Sequence, residues 1–467
     1  MRTEAGLPVI VGTAPIHLGS DPEALQNVNK SRLVYTYAEA VEMFGFSRNW
    51  EKYTLCEFMY SQFALFAVTP CVLINVLDPA VHREIVAPVA YPVTEGAANL
   101  GQDVLLDSVA FDGDLPYVYG TDYSLGYDRN GNAIMTLIKG GAIELSTDVT
   151  VGFIRLKPDM VDEYDIIGGV NITTGDYEGL ELVNSVFPKY RLVPGLLASP
   201  KWSQKPAAAA VMRAKMDNIN GHFTGQSVVD IPSDAAGAPR YTDAPEWKNL
   251  NNYMAERQFV CWPKIKLGDD VFNLSTQFIG LLNKTDAGNE NIPYESPSNK
   301  MLQMNACINA AGKEFLLGPE QANYLNGQGI VTALNWIGGW RAWGNRTGAY
   351  PAVTDPKDAL TPIRRMFDWI GNEFILTFWQ KVDKPITKRL IRTIVNSYNI
   401  RLNGLAAREF ILGGRVEFLE SENPITDLMD GILRFHLYVT PPPPAEQIVG
   451  ILEFDPQYLL TLFKAVG

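Results

Sequence analysis

The chain has 467 residues, 46% of them hydrophobic and 19% charged, which is enough apolar surface for several compact units and too much for a disordered polymer. Acidic residues outnumber basic ones 52 to 39, and the resulting formal charge of -13 repels a phosphate backbone, so nucleic acid is excluded as an expected partner. The cysteines Cys56, Cys71, Cys261 and Cys307 include no C-x-x-C pair and read as buried free thiols, while no charged leader or unbroken apolar run predicts export or contact with a membrane.

Taken in chain order, residues 7–13 form an apolar strand and residues 36–44 a helix that stops at Gly45. Thr54 and Glu57 have the T-x-x-E spacing of a capping box at the start of a second helix, and 71–77 is the next strand. From about 90 to 155 the texture changes to short alternating runs broken by Asp112-Gly113, Asn130-Gly131 and Gly140-Gly141, dipeptides that accept the positive φ of hairpin turns. This predicts an all-β domain inserted into an α/β unit. Its inner faces should carry Val104, Leu106, Ile134, Thr136, Leu137, Ile143, Leu145, Val149, Val151 and Phe153.

Helices and strands then alternate: a helix over 177–186 before a strand over 192–197, a helix over 205–218 before 227–231, and a helix over 246–256 before 259–265. That order predicts a largely parallel sheet. The last third holds helices over 359–381 and 385–405 and strands over 415–419 and 433–440, then a proline run at 441–444 that should act as a stiff spacer. The final strand, 447–454, differs in kind. Ile448, Val449, Ile451, Leu452 and Phe454 are apolar on both faces and need cover on both sides.

Catalytic signatures are missing. The nearest approach to a nucleophile elbow, Gly225-Gln226-Ser227-Val228-Val229, lacks its closing glycine, and His17, His82, His222 and His436 are isolated. No H-E-x-x-H, cysteine pair or phosphate-cradling glycine loop occurs, so neither a metal nor a cofactor is expected. The stretch Asp128-Arg129-Asn130-Gly131-Asn132 superficially suggests a calcium loop. Its glycine comes too early, however, and Lys139 stands where the bidentate acid belongs, which leaves an Asn-Gly hairpin. Trp336, Trp340 and Trp343 read as packing at a domain junction.

Gly6-Leu7-Pro8-Val9-Ile10-Val11-Gly12-Thr13-Ala14-Pro15, the helix ending Phe44-Gly45, Val229-Asp230-Ile231-Pro232, Ser296-Pro297-Ser298-Asn299 and Trp343-Gly344-Asn345-Arg346-Thr347 occur in an order that resembles contractile phage tail sheath proteins. The resemblance runs through almost the whole chain. It implies a multidomain protein with an α/β layer, an all-β insertion that is a β-sandwich, a middle domain subtilisin-like in fold only, and an α+β C-terminal domain nearest a tail tube. The expected division is 1–90 for the N-terminal segment and the first part of the α/β domain, 91–165 for the insertion, 166–340 for the α/β domain, 341–444 for the C-terminal domain and 445–467 for a linking arm.

By the same resemblance, the function is that of a structural subunit that polymerises around a tube and contracts by repacking. The expected partners are further copies in a helical stack of sixfold rings, the tail tube protein, and baseplate and tail terminator proteins, with no membrane contact. The expected location is a virion tail or a released contractile particle, such as a bacteriocin, assembled in the cytoplasm without a signal peptide. A serine hydrolase built on the α/β layer and a non-contractile tail or baseplate component are the alternatives. Only residues 1–6 precede the first strand, so an N-terminal arm of the kind such proteins carry is expected to be short or missing. The candidate contacts with neighbours are Ile448, Val449, Ile451, Leu452, Phe454, Tyr458, Leu462 and Phe463 in the arm, with Arg346, Arg364 and Arg365 as candidate partners for acids of adjacent subunits or the tube, structural pairing within the chain being an equal expectation for the three arginines.

Overall fold

The structure, a computed structural model, describes residues 6–113, 117–309 and 311–464. Its largest element is an eight-stranded sheet in the order Arg32–Val34, Cys71–Asn75, Pro8–Gly12, Leu196–Ala198, Gln226–Asp230, Gln258–Cys261, Ile330–Trp336, Gly339–Trp343. The two edge strands run antiparallel to their neighbours, and every pairing between them is parallel. The apolar sequences PVIVG and CVLIN are buried at every position, as strands with helical cover on both faces must be. Helices Thr54–Met59, Pro206–Asp217 and Leu274–Gly288 supply part of that cover.

Local chemistry explains most element ends. Thr36 accepts the N–H of Glu39 at the start of helix Tyr37–Phe44, and the chain turns out of that helix at Gly45 with φ +69°. A Cβ at Gly45 would lie 2.2 Å from the Pro15 carbonyl, so no other residue fits there.

The expected capping box at Thr54 and Glu57 does not form. Thr54 is instead the first helical residue and accepts the N–H of Thr13 at 3.2 Å. Glu57 is buried and reaches across to the distant helix Leu274–Gly288, accepting from the Asn273 N–H at 2.6 Å, from Asn273 Nδ2 at 2.9 Å and from Thr276 Oγ1 at 2.7 Å. Asp230, at the end of its strand, accepts the Ser275 N–H at 2.9 Å. Two buried carboxylates thus cap one helix N-terminus, where the macrodipole favours negative charge. Burial nevertheless pushes Glu57 up to about 8 and Asp230 to about 6.

Several sequence boundaries shift. Of the helix expected over 177–186, Tyr177–Glu178 is a strand paired with Gly169–Val170, and the helix proper runs Val183–Tyr190. The helix expected over 246–256 stops at Leu250. The strand expected over 259–265 splits into Gln258–Cys261 and Lys264–Leu267, which pair with different sheets, because Pro263 has no N–H to continue a ladder. Trp336 is 60% exposed near a hairpin turn instead of packing at a junction, whereas Trp340 is half-buried against the main core.

The insertion forms a single antiparallel ladder of six strands, in the order Ala110–Phe111, Asp148–Leu156, Arg83–Thr94, Ala97–Gln102, Asn132–Leu137, Tyr123–Tyr127. The long strand Arg83–Thr94 belongs to both halves of this ladder, pairing with Asp148–Leu156 in one and with Ala97–Gln102 in the other, and residues of both halves, Ala98 and Val151 among them, share one core. The ladder opens at Arg83, ahead of the expected boundary at 91. Val104, Leu137, Ile143, Val149, Val151 and Phe153 are in its core as expected, but Ala133 and Met135 replace Ile134 and Thr136, and Leu145 is 91% exposed.

In the last third, helices Thr361–Phe378 and Lys388–Ala406 enclose a separate core with Trp369, Tyr398, Leu402 and Val416, and the strands Gly413–Glu417 and His436–Thr440 pair antiparallel beside it. This unit is keyed to the central sheet by Asp368, which accepts from Arg257, Arg364, Gln226 and Thr224.

Candidate assembly interface

The Trp343–Thr347 motif ties separated segments together where the chain leaves the central sheet. The Asn345 N–H donates to Asn326 Oδ1 at 3.0 Å and its carbonyl accepts from the Thr361 N–H at 2.8 Å, while Thr347 bonds the carbonyls of Ala359 and Asp358. Arg346 lies over the Tyr350 ring at 4.4 Å and donates to Glu446. Beyond strand His436–Thr440, Pro442 to Glu446 border a groove of about 510 Å³ whose other walls include Tyr294, Ser296, Asn299, Trp343 and Asn345.

Past Glu446 the chain leaves the body. Among the described residues, none from 447 to 462 hydrogen-bonds to any residue before 447, and all are exposed, Ile448 by 90% and Leu452 by 98%. The expected strand over 447–454 is therefore not a strand in the single subunit, because an extended segment needs a neighbouring backbone to complete its ladder and here has none. Nor does it add to the sheet of Gly413–Glu417 and His436–Thr440, which stays two-stranded. Ile448, Val449, Ile451, Leu452, Phe454, Tyr458 and Leu462 all stand in solvent, and the side chain of Phe463 lies outside the described residues.

The two edges of that small sheet differ. On Gly413–Glu417, the Val416 N–H donates to Asn399 Oδ1 at 2.9 Å and Asn399 Nδ2 donates back to the Val416 carbonyl at 3.2 Å, so a side chain occupies the place of a further strand. Beside the other strand, Asn423 makes the same reciprocal pair with Arg434, at 2.9 and 2.7 Å, two residues before the strand begins, and along His436–Thr440 itself no side chain is bonded to the backbone among the described residues.

For Arg364 and Arg365 the structure has the pairing within the chain and not a free contact for neighbours. Arg364 pairs with Asp358 and Asp368, and Arg365 with Asp286, its NH1 lying 3.0 Å from Asp286 Oδ1; both arginines are buried. Their charges are spent inside the subunit. A second basic stretch lies further along the chain. Lys381, Lys384, Lys388, Arg389 and Arg392 are exposed around the start of helix Lys388–Ala406 and belong to no ion pair among the described residues. A helix N-terminus is an unfavourable place for cations, which makes the cluster unusual in an acidic chain.

The groups that would serve catalysis are occupied elsewhere. Ser227 is buried and its Oγ donates to the Arg257 carbonyl at 3.1 Å. His82 and His436 face Asp165 and Glu422, and His222 stacks edge-on against Trp379. Asp128 accepts the N–H groups of Asn130 and Asn132 and so closes a hairpin. The cysteines are buried and free, with burial pushing their thiols up, and no cluster suited to a metal occurs among the described residues.

A mixed α/β multidomain body whose apolar tail has no hydrogen-bond partner in the body among the described residues has the form of a subunit that assembles with others. Comparison with known proteins makes this specific. The chain is 30% identical over 405 residues to the tail sheath protein of Burkholderia phage BcepMu, covering 84% of this chain and 83% of that protein. It is 26% identical over 319 residues to a putative prophage major tail sheath protein of Pseudomonas aeruginosa, covering 67% and 78%. No protein-family model matches. Among solved structures, a chain of the anti-feeding prophage baseplate superposes with TM-score 0.59 at 15% identity over 97% of this chain and 94% of that one, and a chain of the contracted PVC sheath complex with 0.57 at 12% over 98% and 96%. The chain belongs to the contractile tail sheath proteins, and its function is structural, not enzymatic.

Proposed function

We propose that copies of this subunit polymerise into a helical stack of sixfold rings around a tail tube, then rotate and repack nearly rigidly into a shorter, wider lattice that drives the tube through a target envelope. The observation that carries this reading is the tail after Glu446, apolar on both faces and without a hydrogen-bond partner in the body among the described residues. Its natural acceptor is the open His436–Thr440 edge of a neighbouring copy, where strand addition supplies main-chain bonds and alternating side-chain pockets. About half a dozen such bonds at roughly 1 kcal/mol each outweigh any one surface ion pair at about 0–1 kcal/mol, so tails stay hinged while surface contacts exchange. Deleting residues 447–467 should abolish tubules in electron micrographs. Normal tubules from the truncated chain would reject the linking role, and a shorter cut after Asp455 separates the contribution of 447–454 from that of the end.

The finer assignments follow from the same reading. The middle domain is subtilisin-like in fold only, the insertion and C-terminal domain keep the division given above with the insertion beginning near Arg83, and the chain is a particle component assembled in the cytoplasm. Among the described residues no helix is long and apolar enough to cross a membrane. Baseplate and terminator proteins cap the stack, and rings of six match the 6-fold symmetrised anti-feeding prophage baseplate. The exposed row from Lys381 to Arg392 is the face for an acidic tube. The double substitution Lys388→Glu, Arg389→Glu should cut co-sedimentation with cognate tubes several-fold at low salt while tubule formation by sheath alone persists. Equal co-sedimentation of both proteins would remove that face from the tube contact.

A further inference from the structure

The last point at which the body holds the tail is a single charged contact. Glu446 receives the Arg346 guanidinium, whose other face rests on Tyr350, and among the described residues nothing beyond Glu446 is bonded to the body. Upstream, Pro441 is buried and the proline run is stiff, so the segment from Thr440 to Glu446 has little conformational freedom of its own. Arg346 is in turn immobilised, because Asn345 and Thr347 on either side of it bond Asn326, Thr361, Ala359 and Asp358. The groove beside the strap leaves room for it to shift once the contact opens. The pair is partly exposed, at 19% and 35% of side-chain surface, a setting in which an ion pair is weak and readily exchanged.

The geometry points to Arg346 and Glu446 as a releasable pivot that fixes the direction in which the tail leaves the body and so prepares it for capture by a second copy of this chain. This rests on the reading of the tail as the link between subunits. A tail held in one exit direction loses less freedom on capture, and the apparent affinity for the neighbour falls in proportion to the fraction of subunits that hold the competent direction. The Trp343–Thr347 motif then acquires a role: its hydrogen bonds hold Arg346 still. Because the contact is weak, it can break and reform when the lattice repacks without dissociating the tail from its neighbour.

The test uses the full chain with spin labels at Glu320→Cys and Ile448→Cys, the four native cysteines being buried. The unsubstituted pair should give one narrow distance component in the monomer. Glu446→Gln should broaden it and raise the critical concentration for tubule formation up to about fivefold, the ratio that corresponds to a surface pair. The charge exchange Arg346→Glu with Glu446→Arg should restore both values, which a merely local packing role would not do. If Glu446→Gln changes neither the distance distribution nor the critical concentration while removal of 447–467 still abolishes tubules, the pivot is wrong and the linking tail stands. If removal of 447–467 leaves tubules intact, the linking tail itself fails, and the distance distribution then reports on the contact alone.

Discussion

Replacing Arg365 by alanine is expected to lower the unfolding free energy of the subunit by about 3–5 kcal/mol, the largest effect of any single substitution considered. Arg365 and Asp286 have side chains only 2% and 3% exposed. Burial pushes the Asp286 carboxyl up from its usual range, and the facing guanidinium is the main opposing influence. Without Arg365, that carboxylate must either stay charged in an apolar site or take up a proton at neutral pH, and each course costs free energy. The pair joins helix Thr361–Phe378 to helix Leu274–Gly288 and therefore couples the C-terminal unit to the central sheet. The double variant Arg365→Met with Asp286→Leu removes both charges together and should recover most of the loss. Denaturant titration of the three proteins decides the matter. An Arg365→Ala variant within about 1 kcal/mol of the parent would mean that solvent or another cation replaces the guanidinium.

Why Arg365 looked like a surface contact bears on what a sequence can reveal. A pair of arginines early in a helix has the appearance of a solvated face, and the partner acid lies on another helix that only the fold brings near. The capping box misled for a related reason. Thr54 and Glu57 have the right spacing and helical context, but Glu57 is drawn off by three donors around Asn273 and Thr276, a competition that cannot be seen from one turn of chain. By contrast, the inner strands of the parallel sheet were legible because burial on both faces demands an unbroken apolar run, and Pro8–Gly12 and Cys71–Asn75 have just that.

The insertion was legible as β from its turn dipeptides but not in strand parity. In Asn132–Leu137 the sequence NAIMTL offers apolar residues at odd and even positions alike. The choice of Ala133, Met135 and Leu137 for the inside is fixed by the register with the partner strand, in which Met135 lies opposite the buried Ala98. The tail presents the converse case. Its two apolar faces announced a need for cover, and among the described residues that need is unmet. What no local pattern disclosed was the asymmetry of the two edges beside it, since the plug at Val416 is a side chain from a neighbouring helix.

His17 yields the second large effect, a loss of about 3 kcal/mol of stability between pH 6.5 and 4 that the variant His17→Phe should not show. The ring is buried between Tyr53 of the body and Tyr127 of the insertion, with centroids 6.3 and 5.5 Å away, and neither nitrogen has a hydrogen-bond partner among the described residues. Asp103 is the nearby carboxylate, but it is already engaged by Tyr53 OH at 2.6 Å and Lys52 Nζ at 2.8 Å. Burial lowers His17 to about 4, and the pull of Asp103 only partly opposes it. In the unfolded chain the imidazole takes its proton near 6.5, so below that pH protons favour unfolding. The contribution of His17 is complete above pH 6.5, falls steadily down to about pH 4 and is constant beneath it. Glu57 and Asp230 act in the opposite sense, since their raised values add stability as the pH falls, but they are present in both proteins and cancel in the difference. Any packing cost of the larger phenyl ring is independent of pH and cancels in the slope. Unfolding free energies measured from pH 7.5 to 3.5 should therefore diverge below pH 6.5, with the parent the steeper. Parallel curves would show that the junction of insertion and body accommodates an imidazolium, which the lack of a hydrogen-bond partner for either ring nitrogen among the described residues argues against.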